Sequence, residues 1–397
     1  MNILYVCADR GIPVLGNKGA SVHVRSLTSA MTRLGHNVTL AARRWDEGNP
    51  APRVHRSEAL RKDPREAAGQ LERLVRSERP DMVIERYSLQ SGPARLATRR
   101  CGVPLTLEVN APLAQEAARY RGLDDPLAEQ REHETLSGAD RIHVVSPALL
   151  RYVRSAAPDV PAAWIPNGAD VSRFRAARPL TLPSLAGRIV VGFVGSMKPW
   201  HGVEQLLEAF AGIRPHSPQA VVLLVGAGPG RAGVLERAGR ADLRGHVFCT
   251  GHVAHAAVPS LLGRFDIALA PYLPIEDFYF HPLKIVEYLA AGKPVIYPDQ
   301  GDLRALVGRG GLSYLPGSVA QLADRLAQLL DDVALREELA SAAAARGARL
   351  DWTVIAERVL GFAAGAGDAG LSDPVAPPAP MGAPMGAGQR DPGVGES

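Results

Sequence analysis

Only five of the 45 basic residues are lysines: Lys18, Lys62, Lys198, Lys284 and Lys293. Three of these fall in loops that lead into helices. Lys284 stands in Asp277-Phe-Tyr-Phe-His-Pro-Leu-Lys-Ile-Val-Glu-Tyr-Leu-Ala-Ala-Gly-Lys-Pro-Val295. That pattern reads as a loop, a helix beginning near Pro282, a Gly292 stop and a buried strand. A cation in the first turn of a helix opposes the helix dipole unless an anion lies between them. Glu287 follows one turn later on the same helix face. A lysine for a diphosphate and a carboxylate for the vicinal hydroxyls of a ribose need this spacing. The bland alternative is a surface ion pair between the two. The preceding aromatic loop, Phe278, Tyr279, Phe280 and His281, leads into Pro282 and Leu283, and it is read as part of the same ligand site.

A second glycine-rich loop, Gly195-Ser-Met-Lys-Pro-Trp-His-Gly202, places Ser196, Lys198 and His201 after a strand and before a helix. It too suits a phosphate. The first such loop, Gly16-Asn-Lys-Gly-Ala-Ser-Val-His23, offers the small residues Gly16 and Gly19, with Lys18 in reach of an anion. His23 in its first helical turn either meets the ligand or packs on the adjacent strand. Gly228-Pro-Gly-Arg-Ala-Gly233 has dinucleotide spacing but lacks the acidic residue about 20 positions on. It is read as a strand-to-helix turn bringing backbone close to a ligand. Backbone atoms at Gly251, His252 and Val253, after another strand, could read a nucleobase edge.

Absences narrow the chemistry. There is no Asp-x-Asp clamp for a divalent ion, no Gly-x-Ser-x-Gly elbow and no Walker A loop. No metal and no cofactor are therefore expected, and leaving-group charge falls to Lys, Arg and helix amides. Cys7, Cys101 and Cys249 form neither a disulfide framework nor a zinc site. The net charge of +4 over 397 residues, without a clustered basic face, argues against a nucleic-acid partner. Arg43 to Asp81 carries ten basic and eight acidic residues and reads mostly as a solvated helix surface, allowing at most weak peripheral contact with anionic lipid. No apolar run approaches the roughly 20 residues of a membrane span, and the N-terminus lacks a signal-peptide core, so a cytoplasmic protein is expected.

These residues need a scaffold of alternating strands and helices. Strands are expected at Asn2 to Cys7, Val38 to Ala42, Met82 to Glu85, Leu105 to Val109, Ile142 to Val145 and Trp164 to Pro166, with helices between them, for example Ala67 to Ser77 and Pro126 to Leu136. Pro179, Pro183 and Gly187 mark a linker. The pattern restarts with strands at Ile189 to Val194, Val221 to Val225, Val247 to Cys249, Ile267 to Ala270, Val295 to Tyr297 and Leu312 to Tyr314. The expected fold class is α/β, two Rossmann-like doubly wound domains facing across a cleft, in which ligands sit at the carboxyl ends of the strands. The expected division is 1–178, 188–350 and a returning helix over 351–362. In the tail, 363–397, 22 of 35 residues are Gly, Ala or Pro, too little to build a core, so disorder is expected.

In this order the motifs resemble the retaining GT-B glycosyltransferases of family 4. The match rests on the Gly16–His23 loop, Leu107-Glu-Val-Asn-Ala-Pro112, Ile165-Pro-Asn-Gly-Ala-Asp-Val-Ser-Arg-Phe174, Val194–Gly202 and His281–Gly292, and it covers residues 1 to about 360. The resemblance implies metal-independent transfer of a sugar from a nucleotide diphosphate sugar with retention. It implies Lys284 at the diphosphate, Glu287 at the ribose, Gly251 to Val253 at the base, and Gly16 and Gly19 beside donor phosphate and acceptor. Tyr279 stands where many members carry Glu, and Ser196 and His201 stand where many carry Arg and Lys, which leaves Lys198 to act alone or with His201. Asn110 lies near the position of a common histidine and joins Lys198, Lys284 and His23 as a candidate catalytic residue. The acceptor is expected to be a small soluble molecule near Lys18, Glu85 to Ser88 and Glu108 to Pro112. A nucleotide-sugar epimerase on the same fold and a non-catalytic nucleotide-sugar-binding protein are the alternatives.

Overall fold

The computed structural model describes residues 1–45, 53–56, 60, 63–89, 91–121 and 127–365. Most of the tail, from residue 366 on, lies outside them, as do Lys62 and Pro126. The chain folds around two sheets. Strands β1 (Asn2–Cys7), β2 (Asn37–Ala42), β3 (Arg53–Arg56), β4 (Met82–Arg86), β5 (Leu105–Val109), β6 (Arg141–Val144) and β7 (Ala162–Trp164) form the first, in the order β3-β2-β1-β4-β5-β6-β7. Strands β8 (Ile189–Val194), β9 (Ala220–Val225), β10 (Val247–Gly251), β11 (Ile267–Leu269), β12 (Val295–Pro298) and β13 (Gly311–Tyr314) form the second, in the order β10-β9-β8-β11-β12-β13. Within each sheet the paired strands run parallel. Each order reverses beside the first strand of its half, the switch point at which ligands of such sheets bind.

Two expectations change. The segment read as solvated helix surface contains the edge strand β3, and its helix, Pro64–Glu78, buries Ala67, Ala68, Leu71, Leu74 and Val75 against the first sheet. The strand expected at Trp164 to Pro166 is β7, which ends at Trp164, because Pro166 has no N–H to donate to a ladder.

The two halves share more than a linker. The last helix, Trp352–Ala363, packs Trp352, Ile355, Ala356, Val359 and Leu360 into the core of the first sheet, beside Leu27 and Met31 of the helix Gly19–Arg33. Its start is tied down by Ala169 N–H donating to the Leu350 carbonyl (2.9 Å) and Trp352 N–H donating to the Ala169 carbonyl (3.0 Å). Gly168 must be glycine here, since a Cβ would stand 2.9 Å from the Trp352 ring and 3.0 Å from the Leu350 carbonyl oxygen. Among the described residues no helix is long and apolar enough to cross a membrane.

Candidate active site

Lys284 occupies the first turn of the helix Leu283–Ala290, where the Leu283 and Lys284 amides precede the helix's own ladder, which starts with Ile285 N–H donating to the Pro282 carbonyl at 3.1 Å. Its ammonium is shut away from solvent and has no hydrogen-bond partner. It lies 4.3 Å from the centre of the Phe193 ring and 4.9 Å from that of Tyr272. Burial pulls its pKa down from 10.5 to about 7, against the opposing charge of Glu287. Gly195 provides the room. Its φ is +147°, and a Cβ there would stand 3.0 Å from the Lys284 Nζ. An unpaired buried cation beside free amide donors, with a glycine opposite, is an arrangement that an oxyanion completes.

The rest of the Gly195 loop frames this point. His201 turns its Nδ1 onto the Ser196 carbonyl and packs edge-on against Tyr272. Burial, reinforced by the Lys284 charge, lowers its pKa to about 3, so the ring is neutral. Ser196 is exposed. Lys198, the other candidate cation of this loop, is exposed, with its ammonium 4.6 Å over the Trp200 ring. The glycines of the Gly228–Gly233 turn answer to protein backbone rather than to a ligand. A Cβ at Gly228 would fall 2.6 Å from Met197 N, and one at Gly230 would fall 2.8 Å from Met197 O. That turn shapes the site by holding the Gly195 loop.

Glu287 does not pair with Lys284 as a surface bridge would. Its Oε1 lies 2.7 Å from His255 Nε2, and the carboxylate is largely buried. His255 is held in turn by its own carbonyl, which accepts from Arg173 Nη2 (3.1 Å). The Gly251–Val253 segment leaves β10 through Gly251 (φ +72°), whose carbonyl accepts from Gly226 N–H at 3.0 Å. His252 is exposed, and Val253 leans on the core.

The first half contributes a polar cluster that the sequence did not single out. Glu108 on β5 is fully buried and gathers its partners at the carboxyl ends of three strands. Tyr5 OH donates to Oε2 (2.8 Å), while Arg86 Nη1 (2.7 Å) and Asn110 Nδ2 (2.6 Å) donate to Oε1. His23 Nε2 lies 2.8 Å from the same Oε1, and His143 Nε2 lies 3.8 Å from Oε2. Burial by itself would raise the Glu108 pKa, but the charges of His23, Arg86 and His143 outweigh it and hold the carboxyl well below 4.5. His23 Nδ1 faces Asn167 Oδ1 at 2.8 Å, and Asn167 Nδ2 donates to the His281 carbonyl at 2.8 Å. A chain of polar contacts thus runs from β5 to the residue three positions before Lys284. The Asn167 donor fixes its amide orientation, so both His23 nitrogens face acceptors. His23 is buried among these partners and Trp352 (ring centres 5.1 Å apart). Asn167 and Glu108 both lie inside the matched motifs, and that was their one signal in the sequence.

At the mouth of the first half, Gly19 approaches Leu283, whose Cδ1 would lie 3.8 Å from a Cβ at that position. The Gly16 carbonyl accepts from Arg25 Nη1. Lys18 is exposed and donates to the Gly11 carbonyl at 3.1 Å, so its ammonium is turned back on its own loop. Asn110 is partly open beside Glu108.

The aromatic loop lies where the two halves meet. Phe278 belongs to the core of the second half. Tyr279 packs with Leu107, Val109 and Leu149 of the first half, and its hydroxyl reaches Glu116. Phe280 stacks on Tyr279 at 4.4 Å, between the two cores. His281 is buried with neither ring nitrogen hydrogen-bonded, and burial lowers its pKa to about 3. Tyr279 and Phe280 thus join the cores of the two halves. Pro282 sits just before the first helical residue, Leu283.

Comparison with known proteins follows the same division. The family model "Glycosyltransferase Family 4" matches residues 17–173, and the model "Glycosyl transferases group 1" matches residues 188–332. A phosphatidyl-myo-inositol mannosyltransferase of Mycobacterium leprae is 30% identical over 199 residues, 49% of this chain and 51% of that protein, so the chain spans about half the length of that relative. A 2-deoxystreptamine glucosyltransferase of Streptomyces kanamyceticus is 28% identical over 263 residues, 62% of this chain and 66% of that one. Among solved structures, Anabaena Alr3699/HepE in complex with UDP superposes with a TM-score of 0.71 at 19% identity, covering 92% of this chain and all of that one. Its fold is GT-B, two facing α/β halves.

Proposed function

The chain belongs to the group 1 and family 4 glycosyltransferases, and we propose that it transfers a sugar from a UDP- or GDP-linked donor to a small hydroxylated acceptor with retention at the anomeric carbon. The observation that carries this reading is the buried, unpaired Lys284 ammonium at a helix N-terminus against Gly195. There the diphosphate replaces the missing counter-charge, and its departure is helped by Lys284 and the free amides of the first turn. Glu287 takes the ribose hydroxyls, and the Gly251–Val253 backbone takes the base. No divalent ion is called for in this account, because positive groups of the chain face the place where negative charge develops. With an oxocarbenium-like transition state, the acceptor hydroxyl bonds to the anomeric carbon from the face the diphosphate leaves as the bond to the diphosphate oxygen breaks, and the hydroxyl proton passes to that departing oxygen. The acceptor lies on the first half, between the Gly16–Gly19 loop and Asn110. Lys198, exposed beside the loop, meets the sugar or acceptor side. A small acceptor is supported by the likeness to the 2-deoxystreptamine glucosyltransferase.

The test is a thermal-shift panel of UDP, GDP, ADP and dTDP without added metal, on wild type and Lys284→Ala. Free ligand at about 100 times its Kd adds roughly 2.7 kcal/mol to stability. The reading expects a shift with one base, abolished in the variant. Slow hydrolysis of the matching nucleotide sugar, followed by NMR, gives the anomer released, and inversion would overturn retention. No shift with any of the four would overturn the donor assignment.

A further inference from the structure

Between the two halves, on the far side of Glu287, lies a cavity of about 240 Å³. Its polar lining comes from both: Arg25 and Arg33 of the Gly19–Arg33 helix, Arg173 of the segment that leads into the second half, and His255 with Glu287. Lys284 and the Gly195 loop take no part in it. Arg25 and Arg173 are partly buried and held in place by backbone. Arg25 Nη1 donates to the Val14 carbonyl at 2.8 Å and to the Gly16 carbonyl, and Arg173 Nη2 donates to the His255 carbonyl at 3.1 Å. Two carboxylates share the lining, and neither pairs with an arginine side chain. Asp170 Oδ1 accepts from Ser172 Oγ (2.8 Å) and Arg173 N–H (3.2 Å), and Glu287 Oε1 faces His255. None of the three arginines forms an ion pair among the described residues. Burial, and then the charge of Arg173, lower the pKa of Arg25, which places the two guanidiniums within reach of each other's field. Like charges fixed together without a counter-ion are unfavourable unless an anion joins them. Planar guanidinium forks fit the oxygens of phosphate, while the carbonyls they already hold keep them aimed.

We propose that this cavity is a binding site for a small phosphate-bearing ligand, adjoining the nucleotide site at Glu287 but distinct from the Lys284 pocket, gripped by Arg173 and Arg33 with Arg25 behind them.

The experiment titrates inorganic phosphate, at ionic strength held constant with sodium chloride, into wild type, Arg173→Gln, Arg33→Gln and Lys284→Ala. Calorimetry and melting temperature are the readouts, and UDP runs in parallel. Wild type is expected to show saturable binding. Arg173→Gln is expected to lose about tenfold or more in phosphate affinity, the size of one charge-assisted contact, and Arg33→Gln several-fold. Arg33→Gln, which touches neither His255 nor Glu287, keeps its UDP response. Lys284→Ala keeps the phosphate response and loses that to UDP. Absence of saturable phosphate binding to wild type overturns the proposal. So does a phosphate response that disappears in Lys284→Ala, or one that survives both arginine substitutions, because the anion would then sit at the nucleotide site. Should Arg173→Gln show no cooperative melting, Arg33→Gln, whose side chain is exposed, decides alone. A missing UDP response beside a correct phosphate pattern would count against the transferase reading and leave this one standing.

Discussion

Lys284 turns nucleotide binding into a proton-uptake measurement. Its pKa in the empty site is about 7, because burial disfavours the charged form. A diphosphate placed against the ammonium restores the charged form and returns the pKa towards its ordinary 10.5 or above. At pH 8 the free protein then carries a neutral lysine in roughly nine molecules of ten, and at pH 6 in about one of ten. Binding must therefore take up about 0.9 proton at pH 8 and about 0.1 at pH 6. Between pH 7 and the pKa of the bound state, affinity falls about tenfold, or about 1.4 kcal/mol, per pH unit. The ligand should be the nucleotide sugar rather than the free diphosphate, whose terminal phosphate has its own ionisation near pH 6. Calorimetry in buffers of different ionisation enthalpy gives the proton number as a slope. Burial also moves Asp302 to about 7 and Glu85 to about 8, so both titrate in this range. Asp302→Asn and Glu85→Gln separate them, because uptake that belongs to Lys284 survives in both variants. A slope near zero at pH 8 in wild type would refute the reasoning. A slope that vanishes in either of these variants would refute it equally.

Three further outcomes follow from single contacts. Gly195→Ala sets a Cβ 3.0 Å from Lys284 Nζ at a φ of +147°, so nucleotide affinity should fall by about tenfold or more while far-UV circular dichroism stays unchanged; wild-type affinity in the variant would contradict the crowding. Glu108, whose pKa is held well below 4.5, contributes stability that is present above about pH 4.5 and is lost as pH falls through its folded-state value; melting curves from pH 7 to 3 should show this acid limb in wild type and a shallower one in Glu108→Gln. Glu85 behaves in the opposite sense: it is buried on β4, and burial, only partly opposed by the nearby Ser91 hydroxyl, raises its pKa to about 8, so it weakens the fold as pH rises from 4.5 through 8. Glu85→Gln should therefore stabilise the protein more at pH 9 than at pH 5, by up to roughly 4 kcal/mol, read as a larger rise in melting temperature, and equal gains at both values would dismiss the account.

What the sequence reveals depends on whether the physics is local. Lys284 was legible because the dipole argument needs only the helix start and the cation, and Pro282 and Gly292 mark both ends of that helix. The alternation of strand and helix was legible for the same reason, since it is written in apolar runs of a few residues. β3 escaped because Arg53-Val-His-Arg56 carries a single apolar side chain, and it forms an edge of the first sheet. The Glu108 cluster escaped because its partners stand 22 positions away at Arg86 and 103 away at Tyr5, and His23 meets Asn167 across 144. The glycines at 228 and 230 announced a close backbone approach, but a glycine does not say whose backbone approaches; it is Met197. The aromatic loop announced burial, and burial against the other half of the chain has the same composition as burial against a ligand.

The two kinds of polar burial in this molecule have opposite electrostatic logic. Glu108 is surrounded by donors in the empty protein, so its charge is stable before any ligand arrives and its contacts hold the frame: β5, the Gly19–Arg33 helix through His23, and the donor loop through Asn167 and the His281 carbonyl. Lys284 has no such partners, and an unpaired buried ammonium is too unfavourable to keep fully charged. Above pH 7 the lysine of the protein alone is mostly neutral, and there the positive charge returns with an anion. Specificity for a diphosphate then needs no dedicated acidic partner to be displaced. A neutral ligand of similar shape would bring nothing to recharge the lysine. The fixed cluster positions the loop, and the unfixed charge waits for the ligand, which is why removing Asn167 should loosen the site while leaving the Lys284 proton uptake intact per molecule of ligand bound.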